Sequence, residues 1–309
     1  METWKRTVYI SLVCVFCTAF GVSQLAPILP LYFHDLGVQT PEAMSLWSGL
    51  ATGATYIIVC LAAPFWGRVA DKKGRKITLI RSSFGMALCN ILIAFQTTPE
   101  GVVLIRLVQG LVSGFYSASI TLIASESPIE RTGWALGLLA SANLAGSLIG
   151  PLLGGYIADT VGIRNDFIIV GALMGLAGVL ATIFIHENYV PQPNPEKLSI
   201  RKLKEQIPEF NSIVALCVAS FIYAICIMSL QPVISVYIKG IVPSDTENLA
   251  FIAGAVFSAM GIAQLMSSSP LGKLVDKIGP RKVLVVSLIY VGILNIPQAY
   301  VSDVYQLAI

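Results

Sequence analysis

The sequence predicts an all-α integral membrane protein with two pseudo-symmetric helical bundles, the second of them truncated. The 309 residues are 55% hydrophobic and 12% charged, whereas a soluble domain contains about 25% charged residues. The apolar residues form runs that reach the length needed to cross a bilayer as a helix, which is about 20 residues. Motifs also recur at a constant distance of 205 residues, which indicates an internal duplication.

The duplication is clearest in a charged motif that lies between two apolar runs. Its first copy contains Gly67, Asp71, Lys72, Gly74, Arg75 and Lys76, and its second copy contains Gly272, Asp276, Lys277, Gly279 and Arg281. The same offset relates Pro27 to Pro232 and Gly49 to Gly254. Because the offset is constant across successive apolar runs, we expect the two copies to fold alike.

Nine membrane spans are predicted, and a tenth begins at Tyr305. The nine cover 8–33, 46–66, 77–96, 100–124, 133–158, 166–186, 211–238, 249–271 and 282–301. The predicted domains are an N-terminal six-helix bundle at 1–187, a cytoplasmic linker at 188–208 and a partial C-terminal bundle at 209–309. Since Ile309 corresponds by the offset to Leu104 in the fourth span, we expect the sequence to be a partial record, a fragment or a truncated gene product.

The distribution of cations predicts the orientation. Most of the 20 Lys and Arg residues lie at the N-terminus or in loops after even-numbered spans, whereas the opposite loops hold Arg164 and Lys239. Positive loops stay in the cytoplasm, so the sequence predicts a multi-pass protein of the cell membrane with a cytoplasmic N-terminus. The basic segment 197–204 of the linker is interpreted either as an interfacial helix on anionic lipid or as a solvated charged face.

Four motifs carry a resemblance to a known family. They are Gly21, Pro27 and Pro30 in the first span, the charged motif after the second, Arg106, Gln109 and Gly110 in the fourth, and Gly146, Gly150, Pro151, Gly154 and Gly155 in the fifth. Together they resemble the major facilitator superfamily, and within it the bacterial twelve-helix drug:proton antiporters. The resemblance is closest to multidrug exporters of the Gram-positive type.

The resemblance implies a secondary active transporter that exports lipophilic drugs or small molecules by proton antiport, with alternating access between two bundles. The proton gradient is then the driving force, and no cofactor or metal is expected. The expected partners are a lipophilic substrate, protons and membrane lipids, with no nucleic acid, and the expected state is a monomer. The sequence shows no Ser/His/Asp, paired-carboxylate or metal-ligand constellation, so we expect no enzymatic activity.

The charged motif has two interpretations. Gly67 is predicted to allow close approach of backbones and Gly74 to supply a tight turn, while Asp71 can pair with a local cation or face a helix N-terminus, where an anion is favoured. Such contacts can latch the two bundles in one state. In the alternative interpretation the cations only hold the loop in the cytoplasm.

Arg106 is the most informative single residue. A cation inside a span costs at least about 2.5–3.5 kcal/mol, so it needs a partner in the protein or water. In the family this Arg lies at the cavity and takes part in proton coupling, with Gln109 in the same motif. An Arg that extends outward to the membrane surface is the alternative.

The fifth span is rich in small residues, which allow membrane helices to pack closely, and Pro151 allows a bend. The span is interpreted either as a pivot between conformations or as a site of close packing alone. The resemblance makes its motif a signature of antiport.

The carrier of the proton is not evident, because apart from terminal residues no Asp or Glu lies within the nine spans. The candidates are Asp35, beside His34 at the outer end of the first span, and Glu126 at the inner end of the fourth. Each is also interpretable as a solvated interface residue. Either the carrier lies in helices beyond this sequence or the coupling differs.

Two other functions stay open. One is an exporter of a specific metabolite, such as a sugar or an amino acid, and the other is a truncated remnant that does not transport. Efflux of a fluorescent lipophilic cation discriminates them from a multidrug exporter.

Overall fold

The computed structural model describes residues 3–187, 189, 210–241 and 248–298, and this part of the chain is helical throughout with short connections. The helices are α1 (Thr3–Ser23), α2 (Leu25–Asp35), α3 (Pro41–Lys73), α4 (Arg75–Ala94), α5 (Pro99–Val112), α6 (Phe115–Glu126), α7 (Thr132–Val161), α8 (Ile163–Phe184), α9 (Phe210–Ile241), α10 (Leu249–Ile278) and α11 (Pro280–Gln298). The predicted all-α class is confirmed for these residues.

The helices reproduce the predicted spans. Among the described residues, seven helical segments are long and apolar enough to cross a membrane, counting α5 and α6 as one. Helices α9 and α11 lie over the seventh and ninth predicted spans. The start of a tenth span and the linker, apart from Tyr189, lie outside the described residues.

Short sequence signals fix where the helices start. Thr40 and Thr98 precede Pro41 and Pro99, and the hydroxyl of Thr40 accepts a hydrogen bond from the N–H of Ala43 at 3.3 Å. A threonine N-cap followed by proline at the first helical position is a strong start signal, since proline lacks an N–H that would be unpaired there.

Two glycine turns confirm that the repeat is structural. Gly74 separates α3 from α4 with φ +92°, and Gly279 separates α10 from α11 with φ +88°. Residues other than glycine are strained at such values. The two glycines are 205 residues apart, so the charged motifs of both copies contain the same backbone turn.

Helices α1 to α8 pack around a shared apolar core, in which α1 lies against α7, α4 against α8 and α3 against α5. Cys14 and Cys17 are buried in this core, and the thiol of Cys14 donates to the carbonyl of Ala177 at 3.2 Å. Both cysteines therefore act as small packing residues.

Two ends of the helical array are distinguished below. The basic end carries residues 67–76, and the opposite end carries residues 36–40 and 159–166. Helices α9 and α10 contact the first eight helices mainly through α2, α3 and α7. The described hydrogen bonds between α9 or α10 and the first eight helices lie nearer the opposite end.

Candidate functional site

The turn of the first charged motif is bound by an acidic residue from the end of α8. The carboxylate of Glu187 accepts hydrogen bonds from the N–H groups of Arg75 at 2.7 Å and Lys76 at 2.8 Å. These are the first residues of α4, where unpaired N–H groups favour an anion. A Cβ on Gly74 would lie 2.6 Å from Oε2 of Glu187. Both the turn and its capping therefore require glycine.

Other residues of this motif are placed differently from the sequence expectations. Glu187, and not Asp71, occupies the helix N-terminus, while Asp71 is exposed and its backbone carbonyl accepts the hydroxyl of Tyr189 at 2.6 Å. Lys72 is also exposed, and Nζ of Lys76 donates to a backbone carbonyl at the end of α8 at 2.9 Å. The close approach predicted at Gly67 is not observed, since a Cβ there meets no described atom within 4 Å.

The second charged motif shares the glycine turn at Gly279. Lys277 and Arg281 are exposed on either side of it. Gly272 and Asp276 lie in α10, and the side chain of Asp276 is outside the described part of the chain.

Arg81 binds the end of α5, a role that the sequence did not reveal. Its guanidinium lies 3.6 Å from the centre of the Trp66 ring and donates to the carbonyls of Leu111 at 3.3 Å and Ser113 at 3.0 Å. The last carbonyls of a helix favour a cation, and the ring adds a cation–π contact. Here Gly114, with φ +113°, divides the fourth span into α5 and α6. A Ser-Gly pair inside an apolar run was the available signal.

Arg106 and Gln109 are brought together as the sequence predicts. Arg106 is only 6% exposed, and its Nη1 donates to Oε1 of Gln109 at 2.6 Å. The hydroxyl of Thr55 in α3 donates to the backbone carbonyl of Arg106 at 3.0 Å, and Gly110 packs directly on the carbonyl of Thr55. The side chain is thus held inside the protein and does not extend to the surface.

One face of α7 packs on the first span through three glycines spaced four residues apart. A Cβ on Gly146 would lie 2.6 Å from the carbonyl of Phe16, and one on Gly150 would lie 2.5 Å from that of Phe20. Gly154 packs in the same way on the side chain of Gln24. Residues four apart share one helix face, so this stripe allows close contact between the two helices.

A second face of α7 packs on α10. Gly155 lies against the carbonyl of Ala250, and Gly254 lies against the carbonyl of Pro151. The rings of Tyr156 and Phe251 meet nearby with centroids 6.4 Å apart. Helix α7 is therefore the element that joins the first span to α10, and we call its contact with α10 the seam.

An acidic residue closes the seam at the opposite end. The carboxylate of Asp159 accepts hydrogen bonds from the N–H groups of Phe251 at 2.7 Å and Ala250 at 3.2 Å. Both residues lie in the first turn of α10. Farther along α10, the hydroxyl of Ser258 donates to the carbonyl of Leu148 at 2.7 Å. Asp159 could not be selected from the sequence, since only the fold brings it to the start of α10.

Proline explains a further connection, between α2 and α9. Pro30 has no N–H, so the carbonyl of Ala26 lacks its usual partner within the helix. The hydroxyl of Ser235 in α9 donates to this carbonyl at 3.2 Å. Pro27 likewise lacks an N–H at the start of α2, close to the junction of α1 and α2 at Gln24. Gly21 lies closer to the basic end, in contact with Met174 of α8.

Asp166 is the buried carboxylate that the sequence analysis did not select. It is fully buried in the first turn of α8, and its Oδ2 accepts a hydrogen bond from Nε2 of Gln24 at 3.0 Å. Asp166 begins the sixth predicted span, and a terminal residue is expected to be solvated. Burial at such a position is visible only in the folded chain.

The sequence candidates for the proton carrier are more exposed. The side chain of Asp35 is 58% exposed and lies 3.9 Å from that of His34 at the opposite end, with no contact to Arg106. Glu126 is half-buried at the end of α6, at the basic end.

The sequence matches the family described as Major Facilitator Superfamily over residues 11–308. It is 37% identical over 306 residues to multidrug resistance protein MdtG of Salmonella dublin, a match that covers 99% of this chain and 76% of that protein. It is 39% identical to the MdtG protein of Dickeya zeae, over 99% of this chain and 75% of that protein. The expectation that the sequence is incomplete stays a prediction.

Two solved structures share the fold. The crystal structure of the D-xylose-proton symporter matches with a TM-score of 0.63 and 15% identity, over 89% of this chain and 68% of that one. The human organic anion transporter TETRAN matches with a TM-score of 0.59 and 16% identity, over 84% and 72%. At such identities the likeness shows the fold alone, and it confirms the predicted fold class.

Replacing Gly155 with valine is expected to open the seam, because the new side chain collides with the carbonyl of Ala250. Oxidative cross-linking between Tyr156→Cys and Phe251→Cys in membranes measures this opening, and the cross-linked fraction should fall. Gly137→Val is the matched control, since a Cβ at Gly137 meets no described atom within 4 Å. Equal cross-linking in both variants would contradict the packing described here.

Removing the carboxylate of Glu187 is expected to lower the free energy of unfolding by about 1 kcal/mol, as the loss of a helix N-cap does. Reversible denaturant unfolding of Glu187→Ala in mixed micelles measures this difference. Glu130→Ala, at an exposed position of the basic end, should change the free energy by less than about 0.5 kcal/mol. Indistinguishable values for the two variants would mean that the cap does not stabilise the turn.

Proposed function

The chain belongs to the Major Facilitator Superfamily, and on this basis we propose that it exports lipophilic drugs or small molecules in exchange for protons. Membership makes it a multi-pass membrane transporter and not an enzyme. The substrate class, the proton exchange and the orientation in the cell membrane belong to the proposal.

Two observations support drug export. Relatives that carry the name multidrug resistance protein are 37% to 39% identical over almost the whole of this chain. The glycines of the fifth-span motif form the close contacts of α7, and in the resembled antiporters this motif marks exporters. The closer assignment to exporters of the Gram-positive type stays a prediction.

The contact between α7 and α10, the seam, is the observation that supports a mechanism of alternating access. The described hydrogen bonds between helices α1 to α8 and helices α9 and α10 are those of Asp159, Ser235 and Ser258. They lie in the half of the molecule nearer the opposite end. Nearer the basic end, the described side chains of 213–226 in α9 and 262–267 in α10 are almost all exposed. This arrangement favours a pathway that opens toward the basic end.

We assign the basic end to the cytoplasm, because loops with excess Lys and Arg stay on that side. On this assignment we propose that the described conformation is an inward-open state, with the seam closed on the outside. Transport requires the seam to open, which breaks the hydrogen bonds of Asp159 and separates the faces at Gly155 and Gly254. The pivot interpretation of the fifth span follows from this requirement.

Ethidium efflux from cells that express the chain tests the proposal. A multidrug exporter should lower cellular ethidium, and a protonophore should abolish the effect. An exporter of one metabolite would leave ethidium unchanged while it transports its own substrate, and a remnant would transport neither.

Replacing Arg106 with alanine is expected to abolish ethidium efflux with little loss of membrane insertion. The change removes the buried cation and leaves Oε1 of Gln109 without its donor. Efflux should be normalised to the protein level in membranes, with Arg131→Ala as control because Arg131 is exposed at the basic end. Normal efflux by Arg106→Ala would remove this residue from the mechanism.

Replacing Asp159 with asparagine is expected to favour the outward-open state, because a neutral amide interacts more weakly than a carboxylate with the N-terminus of α10. Labelling of Phe251→Cys by a membrane-impermeant maleimide added outside intact cells should become faster. Thr160→Val is the control, since the hydrogen bonds described for its hydroxyl run to carbonyls of its own helix. Unchanged labelling would show that Asp159 does not hold the seam.

A further inference from the structure

Asp166 and Gln24 form a polar site inside the first bundle that the mechanism above does not use. Both side chains are 0% exposed. One hydrogen bond joins them, from Nε2 of Gln24 to Oδ2 of Asp166. The second oxygen of each side chain, Oδ1 of Asp166 and Oε1 of Gln24, is buried without a hydrogen-bond partner among the described residues.

This site contains too few hydrogen donors. A carboxylate and an amide oxygen can only accept, and the amide nitrogen supplies the described donor between them. A buried oxygen without a partner costs free energy, and a buried negative charge without a cation costs more. A single proton on Oδ1 of Asp166 removes the charge and turns an acceptor into a donor.

No cation among the described residues neutralises Asp166. The charged and titratable groups that the neighbouring elements carry near this end are Tyr32, His34 and Asp35 of α2, Tyr156 and Asp159 of α7, and Arg164 of α8 itself. The ring of Tyr156 lies against that of Phe251. Tyr32 donates to the carbonyls of Ile93 and Gln96, Arg164 donates to that of Gln96, and Asp159 accepts from the start of α10. His34 and Asp35 lie beside each other at the exposed end of α2. The hydrogen-bond partner that the structure gives Asp166 is therefore Gln24.

We propose that Asp166 is a proton-binding residue of the transport cycle and that Gln24 links its protonation to α7. The proposal rests on the proton exchange proposed above. A proton from water on one side of the membrane forms one O–H bond with the carboxylate and makes it neutral. Its release to the other side restores the carboxylate, so that each cycle moves one proton through this group and breaks no other covalent bond.

The position of Gln24 supplies the link to the seam. Gln24 lies at the junction of α1 and α2, and its side chain packs on Gly154 of α7. The next residue, Gly155, packs on α10. A change in the bond between Asp166 and Gln24 therefore acts on α7, the helix that carries the seam.

Infrared spectroscopy of the full chain in lipid vesicles tests proton binding directly. Spectra recorded while the pH is raised should show the C=O stretching band of a buried carboxylic acid, which disappears when the acid ionises. Asp166→Asn should remove this band. Glu100→Gln, which changes an exposed carboxyl group at the same end, should retain it. A band that persists in Asp166→Asn would overturn the proposal.

Gln24→Leu gives an independent measurement if Asp166→Asn does not fold. Losing the amide should shift the frequency of the carboxylic acid band, because the band reports the hydrogen bonds of that group. An unchanged band in Gln24→Leu would overturn the link between the two residues.

Transport in inside-out membrane vesicles tests the role in the cycle, with ethidium as the probe. A pH gradient that is acidic inside should drive ethidium accumulation in the wild type and in Glu100→Gln. Asp166→Asn should lose accumulation driven by the gradient while it still equilibrates ethidium down its concentration gradient. Accumulation equal to the wild type would overturn the proposal. If wild-type vesicles accumulate no ethidium, the proposed function fails, and the infrared result alone then decides whether Asp166 binds a proton.

Discussion

Close backbone contacts along α7 determine how the first span and α10 pack in this structure. The stripe at Gly146, Gly150 and Gly154 allows the first span to lie against α7, and Gly155 allows α10 to do so from another side. In a membrane, lipid competes equally for apolar side chains, so helices associate through close packing and a few hydrogen bonds. Because one helix provides both contacts, the proposed opening of the seam would also act on the packing of the first span.

Three half-buried ions follow one further rule, which is that each of them binds the end of a helix. Glu187 accepts from the start of α4, Asp159 accepts from the start of α10, and Arg81 donates to the end of α5. Helix ends carry unpaired backbone groups and partial charges of the required sign. Asp166 departs from this rule in part, since it lies in the first turn of α8 and yet one of its oxygens has no described partner. That departure is the reason to assign it a functional role.

Much of the fold was predictable from the sequence, because its signals are local. Apolar runs gave the spans, the 205-residue offset gave the equivalent turns at Gly74 and Gly279, and glycine spacing predicted close packing of the fifth span. The partners of charged residues were not predictable, since they depend on which helix ends meet in the fold. Thus Glu187 occupies the helix N-terminus that was one of two positions considered for Asp71, and Asp166 was set aside as a terminal residue although the bundle buries it. The roles of the motif residues in transport stay predictions.

We propose that the seam between α7 and α10 is closed on the outside in one state of the transporter and open in the other. The most direct measurement is the distance between spin labels at Thr160→Cys and Asn248→Cys, both exposed at the opposite end, by pulsed electron resonance in lipid vesicles. We expect a short distance from the closed seam and a long distance from the open seam, and the two populations should change when ethidium is added and when the pH is lowered. Gly155→Val should abolish the short distance. A single distance that is unchanged by ethidium, pH and this substitution would contradict the account.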